Sequence, residues 1–216
     1  MITPKLLCAA LAAVAATATY MRFLRPGVLD WGATPAEKAR PMPGDEIIPD
    51  AAPQTTRAIS IEAPQDCIWP WLAQMGPRPR GGAYTYDWIE NLFGLNMHSV
   101  DRVLTEFQHL EAGDVIGDKK PLGLAVRLVE PGWYLVLEWP RTSATWTFGL
   151  YPERDGRTRL VSRNRLRGSG PLFHLFMLAF MEPGSLVMER KMLFGIKQRA
   201  ERLYSNKEQR VLVEAA

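Results

Sequence analysis

Apolar and polar positions alternate in several short runs through the middle of the chain and repeat at helical spacing near its two ends. Residues 57–61 (Arg-Ala-Ile-Ser-Ile) put Ile59 and Ile61 on one face and read as a first strand. Residues 63–66 open a helix with Pro64 near its first turn; Ile68, Trp71, Leu72 and Met75 follow at helical spacing until Gly76 ends it. Pro70 fits there only in the first turns or at a kink. Residues 84–93 read as a second short helix, with Tyr84, Trp88 and Leu92 at i, i+4 steps and Gly94 as the C-cap. Strands follow at 115–116, 124–129, 133–139, 144–151 and 158–166, joined in part by the tight turns Pro131-Gly132 and Asp155-Gly156. A last helix opens at Pro171, breaks near Pro183-Gly184 and resumes over 186–204.

Tight turns between strands argue against parallel crossovers and so against a doubly wound fold. The pattern predicts an α+β domain over residues 55–205, in which an antiparallel sheet wraps around a long C-terminal helix. A polar tail over 206–216 follows it. The strand faces are legible as well. Trp146, Phe148 and Leu150 alternate on one face, and Leu160, Ser162, Asn164 and Leu166 share a face of the last strand. Arg159, Arg163, Arg165 and Arg167 fall on the opposite face, which is expected to be wetted.

The ends carry a different pattern. Residues 6–21, LLCAALAAVAATATYM, are uncharged, against the ~20 apolar residues that span a bilayer. The segment 1–25 reads as a signal anchor; a cleaved signal with Ala16-Thr17-Ala18 as its small-residue site and a peripheral helix are the other readings. Arg22 and Arg25 directly after the run favour retention. The protein is therefore expected to be membrane-associated through this single segment, with secretion as the alternative. Residues 26–54 are rich in proline and read as an extended linker along the domain. Residues 172–181, LFHLFMLAFM, are almost wholly apolar and are either a core lead-in or a greasy lid.

Composition narrows the chemistry. With 216 residues, 47% apolar and 23% charged, the chain suits one domain plus an extension. A net charge of +3 without a basic stripe gives no reason to expect nucleic acid. Two cysteines, Cys8 and Cys67, and three scattered histidines imply neither a disulfide framework nor a metal site, and no nucleotide fingerprint or nucleophile elbow is present. No cofactor is expected, and the oligomeric state is open.

Residues 80–91, Arg-Gly-Gly-Ala-Tyr-Thr-Tyr-Asp-Trp-Ile-Glu-Asn, resemble the R-G-G-x-Y-x-Y-D-x-x-E-N run of bacterial proteins in the START-like, or SRPBCC, superfamily. Residues 188–197 are similar to the start of that group's last helix. The resemblance implies the helix-grip fold and, from members named polyketide cyclase/dehydrase or lipid-transfer proteins, an apolar ligand held between sheet and helix. It carries over no catalytic residue.

The expected function is thus a membrane-tethered binder or carrier of an apolar small molecule or lipid. A cyclase/dehydratase-type enzyme in the same cavity and a non-catalytic interaction module are the alternatives. Ligand contacts are expected from Tyr84, Trp88, Glu138, Trp146, Phe148, Ser162 and Asn164. Ser162 and Asn164 are polar residues on an inward face, and a buried amide needs partners. Glu138 is an anchor if it faces the cavity and a solvated ion pair if it does not. Tyr86, Asp87 and Glu90 are the candidate acid and base set; Asp87 and Glu90 share one helix face, where like charges raise a carboxyl. The same group serves equally well as a fold-keeping cluster.

Overall fold

A computed structural model describes residues 3–117, 123–139 and 143–214. The N-terminal helix α1 (Pro4–Thr19) passes through a π-helical turn (Tyr20–Leu24) into α2 (Arg25–Leu29), and a one-turn helix α3 (Pro35–Ala39) follows. The domain proper is β1 (Gln54–Ile61), α4 (Gln65–Ala73), α5 (Asp87–Leu92), β2 (Val115–Ile116), β3 (Leu124–Glu130), β4 (Tyr134–Trp139), β5 (Ala144–Pro152) and β6 (Thr158–Leu166). It closes with α6 (Pro171–Phe176), a second π turn (Met177–Met181) and α7 (Glu182–Glu214).

The six strands form one antiparallel sheet in the order β1-β6-β5-β4-β3-β2. The concave face packs on α4 and α7, where Ile61, Leu135, Leu137, Phe148, Leu150 and Leu160 meet Ile68, Leu72, Met192, Leu193, Ile196 and Ala200. All are buried, and each large side chain removed from water contributes roughly 1.5–3 kcal/mol. This is the α+β class expected from the strand pattern and the helix-grip-like arrangement that the resemblance implies, with the sheet holding the long helix.

Four expectations need correction. At Arg167, just past β6, the face bearing the arginines is exposed as expected, but from Arg159 to Arg165 it is not wetted. The linker folds back over it, with Met42 packing on Ala58 and Val161. Arg163 is 2% exposed; it donates to Asp45 Oδ2 at 2.6 Å and to the carbonyls of Glu37, Lys38 and Arg40. Arg159 binds Glu37, and Arg165 binds the carbonyls of Ile48 and Pro49. A linker with few internal hydrogen bonds leaves carbonyls free, and guanidinium forks satisfy them.

Second, Tyr84 is not helical. Its φ is 60°, its hydroxyl donates to Trp71 O at 3.0 Å, and its ring meets Trp71 edge-on. Third, the last helix does not break at Pro183-Gly184. The preceding π turn widens the helix where the proline ring would press on a carbonyl. Fourth, the 172–181 run is not core: Leu172, Leu175, Phe176 and Phe180 are exposed.

Among the described residues, one helix is long and apolar enough to cross a membrane by length and composition. It runs over Pro171–Val213, at the C-terminal end, whereas the sequence pattern pointed to the N-terminal segment. Its middle, from Glu189 to Ala200, is gripped by the domain, so length alone does not make it a span.

Gly44 ties the linker to the sheet. Its φ is +86°, and a Cβ there would lie 2.5 Å from Val136 Cγ1. Gly44→Ala is expected to cost about 1–3 kcal/mol through backbone strain and overpacking, read as a lowered Tm in thermal unfolding.

Candidate functional site

The concave face carries one polar cluster, placed where β1, β6 and β5 meet the start of α7. Glu189 projects from α7 onto the sheet. Arg57 on β1, Ser162 and Asn164 on β6 all donate to its carboxylate, Asn164 Nδ2 at 3.2 Å. Arg57 is fully buried. Its Nη2 also donates to Val28 O and Ser185 Oγ, both at 3.0 Å, so one guanidinium joins the N-terminal segment, the sheet and α7. Trp146 Nε1 donates to Ser162 Oγ at 2.9 Å. Burial pushes the Glu189 carboxyl up, against the pull of Arg57, Ser162 and Asn164.

From this cluster the face becomes aromatic towards the opposite ends of β4 and β5. Trp139 stacks on Trp146 at 5.9 Å and 11°, and Trp146 leans on Phe148 at 4.8 Å. Phe148 is buried, whereas Trp139, Trp146 and Asn164 keep part of their surface. The Phe173 ring lies against Gly168, just past the end of β6, where any Cβ would collide with it. Deeper in, the interior is filled by its own side chains, so the hollow anticipated between sheet and helix is packed where Leu150, Leu160, Met192 and Ile196 meet. Two open clefts lie elsewhere: one of about 510 Å³ between the start of α4 and the β3–β4 turn, lined by Trp69 and Trp133, and one of about 460 Å³ beside Arg210.

Of the residues singled out from the sequence, Trp146, Phe148, Ser162 and Asn164 come together on the concave face. Glu138 does not join them. It stands opposite Thr145 in the register, on the face of Val136 and Thr147, and pairs with Arg127 at 2.9 Å. The period of two puts it there once Leu137 faces the core. Tyr84 is buried against Trp71, with its hydroxyl on Trp71 O, and among the described residues makes no hydrogen bond or ring contact with that group. Trp88 does not pack its helix down; it is 66% exposed. Sequence reasoning missed Arg57 and Glu189. The available signal was a lone arginine on the inward face of β1, in step with Ile59 and Ile61.

Residues 80–99 form a self-bracing loop. Arg80 donates to the carbonyls of Ala73 and Met75 at the end of α4. Both Asp87 oxygens accept from Ser99, at 2.6 and 2.7 Å, and Asn91 holds Met97 by its amide N–H and its carbonyl, at 2.7 and 2.9 Å. Tyr86 lies half-open beside Lys191, on the exposed side of α7. Glu90 differs, because its Oε2 and Thr85 Oγ1 beside it are both buried without a well-formed hydrogen bond. Burial and the neighbouring Asp87 push the Glu90 carboxyl up, with Thr85 pulling the other way. Among the described residues, no group of three His, Cys, Asp or Glu is arranged to hold a metal ion.

No family model matches this chain, and no curated protein does either. Solved structures with a similar layout include the KanY protein (14% identity, 68% of this chain and 97% of that one, TM-score 0.46). The self-sacrificing resistance protein CalC of Micromonospora echinospora shares 13% identity over 69% of this chain and 95% of its own, with a TM-score of 0.43. A polyketide-cyclase-like protein of Corynebacterium glutamicum shares 13% over 73% and 93%, with a TM-score of 0.34. The class of fold, helix-grip-like α+β, follows from the strand order and the seat of α7.

Arg57→Met alone strands Glu189 and is expected to destabilise by about 3–5 kcal/mol in denaturant unfolding, while Arg57→Met with Glu189→Met recovers most of the loss. A carboxyl raised in the folded state favours folding most below its unfolded pKa and loses that contribution as pH rises through the folded value. Glu90→Gln is therefore expected to unfold at higher temperature than wild type at neutral pH. The difference should vanish below the ordinary carboxylate range, about 4.3.

Proposed function

We propose that the domain binds or carries an apolar small molecule or lipid at a membrane, taken up along the Trp139–Trp146 end of the concave face. The half-open aromatic stack beside Asn164 supports this reading, since the neighbouring part of the face is closed at Phe148, Leu150 and Leu160. Aromatic surface receives a flat or flexible apolar body, and a neighbouring amide orients a polar end. The Phe- and Met-rich residues 172–181, with Phe173 against Gly168, provide an adaptable cover for the same end. The exposed apolar N-terminal helix suits attachment to a membrane.

The acid and base reading of Tyr86, Asp87 and Glu90 has less support, because Asp87 is saturated by Ser99 and Tyr86 sits on the exposed side of α7. A non-catalytic interaction module is the stronger competitor, favoured by the packed interior.

Native mass spectrometry and solvent extraction of the purified full chain separate these readings. Wild type is expected to retain an apolar molecule, and Trp146→Ala to retain at least about tenfold less with its fold intact by circular dichroism. A chain that carries nothing, and takes up no fatty acid, phospholipid or polycyclic aromatic, leaves the interaction module as the reading.

A further inference from the structure

Two helices carry the same short pattern at the point where they touch. Residues 23–27 read Phe-Leu-Arg-Pro-Gly and residues 180–184 read Phe-Met-Glu-Pro-Gly. Each pattern follows or overlaps a π turn, Tyr20–Leu24 in one helix and Met177–Met181 in the other. The cause is local in both, because a proline two residues on removes a donor and crowds the carbonyl four residues behind it. The two patterns differ in the sign of the charge before the proline, and those charges find each other. Arg25 Nε and Nη2 donate to the two oxygens of Glu182, at 2.8 and 2.7 Å. Glu182 is 2% exposed, so this fork is sheltered and fixes the two helices at their bends.

On the N-terminal side of this pair both helices lose their charge. Residues 168–181 contain no Asp, Glu, Lys or Arg, and neither do residues 6–21. Several of the described large apolar side chains face outwards: Leu172 is 82% exposed and Phe180 69%, and Leu11, Phe23 and Leu24 are exposed too. On the C-terminal side, α7 turns to the domain, with Met192, Leu193, Ile196 and Ala200 buried against α4 and the sheet. The long uncharged part of Pro171–Val213 is thus its start, although Val211, Leu212 and Val213 are also exposed at its far end. Residues 171–181 are about 16 Å of helix at ~1.5 Å per residue, half of the ~30 Å hydrocarbon core.

We propose that the Arg25–Glu182 pair marks the level at which this protein meets a lipid bilayer, and that residues 171–181 are a second, shallow membrane element beside the N-terminal helix. The inference rests on the membrane part of the function proposed above and goes beyond it, because it gives the domain two lipid contacts and hence one orientation. A bilayer is the occupant argued for because one uncharged length ends at Glu182 and the other at Arg22, three residues short of its partner Arg25. Arg22, with its guanidinium 5.5 Å from the Phe23 ring, stands at that border as a cation beside anionic headgroups would.

The test uses the full chain with Cys8→Ser, leaving Cys67 buried, and an environment-sensitive probe on one of Leu11→Cys, Phe176→Cys or Glu106→Cys. Vesicles of mixed phosphatidylcholine and phosphatidylglycerol carry brominated acyl chains as quenchers. Probes at 11 and 176 are expected to be quenched at least about threefold more than the probe at 106, which lies away from both helices. Quenching at 11 with none at 176 overturns the second element while leaving the N-terminal tether standing. Quenching at neither position removes the membrane part of the proposed function as well. A probe at 176 shielded without lipid, in a chain that sediments as a dimer, assigns the face to a second copy and overturns the proposal.

Discussion

One buried charge holds the architecture in register. Arg57 lies on an edge strand, faces the core, and has no route to water. Its guanidinium is satisfied only when α7 brings Glu189 and Ser185, and the N-terminal segment brings Val28 O, to the same point. A core made of aliphatic side chains alone would tolerate small slides of α7 along the sheet. A charge with fixed donors does not, because each displacement leaves a buried charge unpaired. The rotation of α7, the docking of the segment before β1 and the inward aim of Ser162 and Asn164 all follow from that requirement.

The opposite face of the sheet obeys the same logic with different partners. Arg159, Arg163 and Arg165 would ordinarily mark a solvated surface, but here they receive a chain segment that lacks a ladder of its own. Beyond the one turn of α3, prolines keep that segment from forming regular structure, its carbonyls point at the sheet, and the arginines answer them. The sheet is thus covered on both sides, by helices on one and by an irregular strap on the other.

Much of this was legible in the sequence. The strands at 124–129, 144–151 and 158–166 were found because period-two alternation and Pro-Gly or Asp-Gly turns leave little room for another reading. The α+β class followed from their order. The arginine face was misread because alternation reports which residues share a face and says nothing of what covers it. Trp88 and Tyr84 were misplaced because helical spacing ignores a positive φ at Tyr84, which swings its ring under α4. Arg57 went unnoticed because an arginine in a strand reads as solvent-facing unless its distant partner is known, and Glu189 is 132 residues away. The self-bracing of residues 80–99 was one of two open readings, and sequence could not choose between them, since hydrogen bonds to loop carbonyls have no spacing signature.

The position of the Arg25–Glu182 fork separates two properties that are often linked in a chain with an apolar beginning. The contacts of Arg25, Val28 and Trp31, which root the N-terminal segment in the domain, lie downstream of the Ala16-Thr17-Ala18 triplet. Proteolytic trimming at that triplet would release the greasy arm and leave the root seated. Arg25, Val28 and Trp31, which help the domain close, are not among the residues such trimming would take away.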